Sequence, residues 1–93
     1  MAPSGFAYRN LKFLSGDDMD FNVEVDARQL ACPLPILRAK NALSQMASGE
    51  VLKLAATDKG APIDFAVFCE NTGNVLLSSL EENGEFVFLI RRR

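Results

Sequence analysis

Asn83-Gly84, set between two apolar-rich runs, limits what this chain can fold into more than any other pair of residues. A two-residue connection of this type needs positive φ at both positions, which asparagine and glycine tolerate, and it joins neighbouring antiparallel strands. The flanking runs, about Asn74–Glu81 and Glu85–Arg91, are therefore expected to pair as a hairpin. Upstream, Phe21–Val25 alternates, with Phe21, Val23 and Val25 on one side, as a half-buried strand does. Pro33–Ala47 follows a helical period with Ile36, Ala39, Leu43 and Met46 on one face, and Gly49 stops it. Glu50–Thr57 reads as a second strand carrying Leu52, Leu54 and Ala56 on one side. The turn Asp58-Lys59-Gly60-Ala61-Pro62 then feeds a second helix whose apolar stripe is expected to be Ile63, Ala66, Val67 and Cys69, ending at Gly73.

The predicted order is β-α-β-α-β-β. Strand–helix–strand most simply gives a right-handed crossover between parallel strands, and the hairpin adds an antiparallel pair. The expected fold class is α/β: a two-layer α/β sandwich with a mixed four-stranded sheet and two helices on one face. Residues 20–93 form the single domain. The stretch 1–19 has Phe6, Tyr8, Leu11, Phe13 and Leu14 without clean periodicity. It is expected to be a flexible extension, with Met19 available as a start, and it has no unbroken apolar segment of the kind a signal peptide needs.

A chain of 93 residues, 48% hydrophobic, supports one core. At this size about 60–65% of the unfolded surface is buried, which leaves little room for a large enclosed cofactor. The formal charge is -2, so no basic excess points to nucleic acid, and Arg91-Arg92-Arg93 is expected to be a solvated tip. There is no histidine anywhere, which removes Ser-His and Cys-His pairs and imidazole metal ligands. Cys32 and Cys69 lie far apart and cannot by themselves build an ordinary zinc site, so neither a metal nor a cofactor is expected. Nothing approaches the roughly 20 apolar residues of a membrane span. Reduced thiols and a cytoplasmic location follow as expectations.

Cys32 is the residue to follow. Pro33 suits the first position of a helix, because its missing N–H would have no helical partner there. That places Cys32 at the N-cap, where unpaired amides and a partial positive charge favour a thiolate, the nucleophilic form. Pro33 and Pro35 have no N–H, so Leu34 is the expected backbone donor. Arg28 and Arg38 are near enough in sequence to add positive potential or to dock a partner. Cys69, between Phe68 and Glu70, is expected to be core. With neither a base nor a resolving cysteine in view, sulfur carriage suits this thiol better than hydrolysis or disulfide exchange. A thiolate attacks a sulfane sulfur, becomes a persulfide, and passes the outer sulfur on.

Asp26-Ala-Arg28-Gln-Leu30-Ala-Cys32-Pro33-Leu-Pro35 resembles the signature of the TusA/SirA-like sulfur-carrier family, with its Cys-Pro-x-Pro at the start of the first helix. Thr57-Asp58-x-Gly60-Ala61, Asp64, Phe68-Cys69 and Thr72-Gly73 agree with it, and the likeness spans residues 21–92. The resemblance implies that Cys32 accepts sulfur from a cysteine desulfurase or rhodanese-like donor. It implies delivery to a thiol-bearing protein acceptor, serving tRNA thiolation, molybdenum-cofactor maturation or sulfur oxidation. A monomer with no direct nucleic-acid or membrane contact is expected. The sequence departs from the family pattern at Gln29, commonly glycine, at Lys59, often proline, and at Asn74, often histidine.

Two other readings compete. One is a binding or regulatory module of the same fold, acting through the open sheet face or the arginine tip. The other is a redox switch that closes a Cys32–Cys69 disulfide, which requires the two sulfurs to lie close together.

Overall fold

The computed structural model describes residues 21–93 and the backbone of Tyr8–Arg9. Strand β1 is Tyr8–Arg9 and β2 is Val23–Ala27; helix α1 is Leu34–Ser44 and β3 is Val51–Ala56. Helix α2 is Ala61–Thr72, and β4 (Val75–Glu82) and β5 (Glu85–Arg91) close the chain. The sheet order is β1-β2-β3-β5-β4. β2 and β3 are parallel, from Val23 opposite Leu52 to Ala27 opposite Ala56, and the remaining pairs are antiparallel. The expected mixed sheet of four strands is present. In addition, the backbone of Tyr8–Arg9, within the segment expected to stay outside the fold, pairs with the edge of β2. The rest of that expectation lies outside the described residues.

Alternation builds the inner face of the sheet. Val23, Val25 and Ala27 on β2, Leu52, Leu54 and Ala56 on β3, and Phe88 and Ile90 on β5 are all buried. Both helices pack on this face and share one core with it, α1 through Ala39, Ala42 and Leu43, α2 through Ala61, Phe65 and Cys69. Phe65 stacks on Phe88 with ring centroids 4.6 Å apart, and Phe68 meets Phe65 edge-on at 6.2 Å. The other face is partly open. There Lys53 Nζ lies 5.1 Å from the centre of the Phe21 ring, a cation–π contact that shields some apolar surface.

The stripe on α2 differs from the expected one. Ile63 is 71% exposed and Val67 48%, while Ala61, Phe65 and Cys69 point inward. This helix is apolar nearly all round, so periodicity permits more than one buried face. The ring of Phe65 decides the matter, because burying it against Phe88 removes the largest apolar area from water.

The hairpin forms as its turn predicts. Asn83 and Gly84 take φ of 54° and 81°, the left-handed pair that a two-residue loop requires. The C-terminal arginines are not simply a solvated tip. Arg92 Nε donates to the Leu43 carbonyl of the last turn of α1 at 2.8 Å, and its backbone pairs with Glu50 and Gly49. A cation there complements the negative helix end and holds β5 to the helix layer.

Candidate functional site

Parallel pairing of β2 and β3 sends both following loops to the same edge of the sheet, the carboxyl ends of those strands, where open α/β sheets usually place their ligands. The loop after β2 carries Arg28, Gln29 and Cys32; the loop after β3 carries Asp58 and leads into α2 and Asp64. The two loops are tied together. The Gln29 amide donates to Thr57 Oγ1 at 2.7 Å, and this geometry holds Gln29 at a φ of 66°.

Cys32 and Pro33 form the tip of a turn closed by the Leu34 amide, which donates to the Ala31 carbonyl at 2.9 Å. The Cys32–Pro33 peptide is cis. Pro33, not Cys32, is the N-cap of α1, and its carbonyl accepts from the Leu37 amide at 3.1 Å. Cys32 therefore stands one residue before the position the sequence suggests. The physical reason is the turn itself, which takes up the Leu34 N–H that was expected to face the sulfur. Pro35 has no N–H to offer, and its ring is buried against the core.

The side chain of Cys32 is exposed and that of Cys69 is buried, both as free thiols. The electrostatics at Cys32 run opposite to expectation. The Asp64 carboxylate, which favours the protonated thiol, holds Cys32 above the ordinary cysteine range; slight desolvation and the charge of Asp58 push the same way. Cys69 is pushed up by burial alone. Arg28 does not reach the thiol. Its guanidinium grips Asp26 through Nε at 2.9 Å and Nη2 at 3.1 Å, and touches Glu85 at 3.4 Å through Nη1. These hydrogen bonds hold the Asp26 carboxyl below its usual value, and the half-buried Arg38 acts in the same direction on Asp26.

The cavity beside this ion pair is lined by Asp26, Arg28, Gln29, Thr57 and Glu85, and it is polar and open. Leu34 and Leu37 on α1 are exposed, as are Ile63 and Val67 on α2, so the outward side of the helix layer is apolar near both helix starts. Asp64 is the residue that a reading of the first loop alone misses. The parallel pairing was the available signal, because it brings the start of α2 beside the start of α1.

This geometry defines a class: a two-layer α/β domain with an exposed cysteine on a proline-bounded turn ahead of its first helix. A family model described as Sulfurtransferase TusA matches residues 23–92. The sulfur carrier protein TusA of Allochromatium vinosum is 55% identical over 73 residues, covering 78% of this chain and 96% of that protein. The protein of the same description from Pseudomonas entomophila is 34% identical over 76 residues, covering 82% and 95%. The crystal structure of a SirA-like protein from Desulfitobacterium hafniense superposes with a TM-score of 0.66 at 26% identity, covering 73% of this chain and 93% of that one. The chain belongs to the TusA family.

Proposed function

We propose that the protein is a sulfur carrier that takes up a sulfane sulfur on Cys32 as a persulfide and hands it to another protein. The carrying observation is that Cys32 is the exposed thiol of the two, on a turn at the carboxyl edge of the parallel strands, while Cys69 is sealed in the core. Relatives that share the domain over nearly their whole length are described as sulfur carrier proteins, which supports the same role here. The donor is a cysteine desulfurase or a rhodanese-like protein, and the acceptor carries a thiol. Uses downstream include tRNA thiolation and molybdenum-cofactor maturation, reached through protein acceptors and not by direct contact with RNA.

The carrier works as a monomer in the cytoplasm, where free thiols persist. No helix among the described residues is long and apolar enough to cross a membrane. Pro33 and Pro35 fix the turn, and Leu34 with Leu37 offers apolar surface next to the sulfur. A module acting through its arginine tip has less support, because Arg92 is engaged in holding α1.

Incubation with a cysteine desulfurase and cysteine, followed by intact mass, tests the reading. The wild type gains one sulfur and Cys32→Ser gains none, whereas equal loading of the two rules Cys32 out.

A further inference from the structure

We infer that Thr57 is a positioning residue of this transfer: its hydroxyl oxygen accepts the Gln29 amide hydrogen and so sets the path of the loop that aims Cys32. The inference rests on the carrier reading and adds the group that holds the reacting sulfur in place. Gln29 lies three residues before Cys32 in the loop after β2, and Thr57 directly follows β3. Their 2.7 Å hydrogen bond joins the two loops across 28 positions of sequence. Thr57 is half-buried and continues a strand paired on both sides, which gives its hydroxyl a rigid mount. Gln29 has a φ of 66°, a left-handed conformation that a residue with a Cβ adopts at a cost. A return to negative φ redirects the chain that follows, and the bond to Thr57 opposes it by fixing the amide. The stretches on either side have little slack. Arg28 is folded back on Asp26 through its amide at 3.0 Å and through its guanidinium. Leu30 packs against the core, and the Ala31 carbonyl accepts from the Leu34 amide at 2.9 Å. The torsion at Gln29 therefore sets the direction in which the loop leaves β2, and with it where Cys32 stands.

Position matters because the reaction is a displacement at sulfur. Cys32 Sγ attacks the outer sulfur of the donor persulfide R–S–SH, and the Sγ–S bond forms as the donor S–S bond breaks. The electron pair of the broken bond leaves on the inner sulfur, and the thiol proton ends there. The products are the Cys32 persulfide and R–SH, with no outside oxidant or reductant. The attack runs along the line of the breaking bond, so a protein donor docked in one orientation requires the loop to bring Sγ onto that line. A small free reagent approaches an exposed thiol from any open side and makes no such demand.

The test follows two reactions of Cys32 in the full chain, both by intact mass. One is sulfur transfer from a cysteine desulfurase charged with cysteine, in a single turnover at saturating carrier; the other is alkylation by iodoacetamide. Thr57→Val and Thr57→Ala both remove the acceptor, the first keeping the side-chain shape and the second avoiding any overpacking. They are expected to take up sulfur about ten- to a hundredfold more slowly, the scale of a misplaced reacting group. Their alkylation at pH 7 is expected to stay within about twofold of wild type, because the thiol is equally exposed and equally protonated. Thr57→Ser, which keeps the hydroxyl, is expected to restore transfer, with far-UV circular dichroism reporting the fold of all three variants. Slow transfer with unchanged alkylation, rescued by serine, supports the role. If the variants without the hydroxyl load as fast as wild type, if their alkylation slows in the same proportion, or if Thr57→Ser is as slow as Thr57→Val, Thr57 does not position the thiol and the carrier reading stands. If the wild type itself takes up no sulfur from a demonstrably charged donor, the carrier reading and this role fail together.

Discussion

Cys32 and Cys69 have the same side chain and opposite fates, and what separates them is backbone position. Cys69 sits at the third buried place on α2, four residues after Phe65 and eight after Ala61, so the helix carries it inward. Cys32 sits on an exposed turn. This contrast is legible from sequence, because a proline-bounded strand-to-helix junction is a poor site for a buried filler. The carboxylate that favours the protonated thiol is not legible there, since Asp64 lies 32 positions further along and its helix follows the strand that pairs in parallel with β2. Gln29 is a second residue-scale consequence of that junction. Its φ of 66° is unfavourable for a residue with a Cβ, and the hydrogen bond that holds it uses the backbone amide, not the side chain. Gln29→Gly is therefore expected to stabilise the fold by about 0.5–1 kcal/mol, after the loss from a more flexible unfolded chain. Urea titration checks this, and an unchanged or lower midpoint contradicts it.

Among the elements, the two helices show where periodicity suffices and where it does not. On α1 the polar residues Arg38, Lys40 and Asn41 leave one apolar face, and the buried Ala39, Leu43 and the following Met46 are found where that face predicts. On α2 apolar residues surround the axis, and tertiary contact with Phe88 selects the inward side. Phe65 is fully buried and bridges the helix to β5, whereas Ile63, two residues earlier, is mostly exposed. Phe65→Ala is expected to cost about 3–5 kcal/mol and Ile63→Ala less than about 0.5 kcal/mol. Equal losses in chemical denaturation would contradict the packing described for α2. The start of α1 was legible to within one residue, whereas Ala61 and Pro62, expected in the turn, already belong to α2. The one-residue shift at Pro33 arises because the Leu34 amide closes a turn on Ala31, a choice that residue preferences do not dictate.

At the scale of the whole molecule, mixed pairing does two things: it closes a core around Leu52, Leu54, Phe65 and Phe88, and it leaves the exposed Cys32 at one edge. The order of elements and the hairpin at Asn83-Gly84 were readable because each rests on local rules of period and turn. The return of Arg92 to the end of α1 was not, because it joins residues 49 positions apart. Stability should also depend on alkaline pH through the buried thiol. Burial raises the Cys69 pKa in the folded state above the free value of 9.0, so the native chain binds this proton more tightly than the unfolded chain does. That contribution is complete below pH 9.0 and is lost as pH rises through the folded-state pKa. Cys69→Ala removes it. The variant is expected to be less stable at pH 8, from lost packing, and to lose less further stability than wild type on going to pH 10. Parallel losses for the two proteins, measured by urea midpoints, would contradict a buried, protonated Cys69.

The central claim is that sulfur is carried on Cys32 and nowhere else in the chain. Peptide-level mass spectrometry of the wild-type protein after incubation with a cysteine desulfurase and cysteine, with thiols blocked before digestion, locates the added sulfur directly. The account predicts a persulfide on the peptide containing Cys32 and an unmodified thiol on the peptide containing Cys69. A persulfide found on Cys69, or a Cys32 peptide that never acquires sulfur while the donor is demonstrably charged, would contradict it.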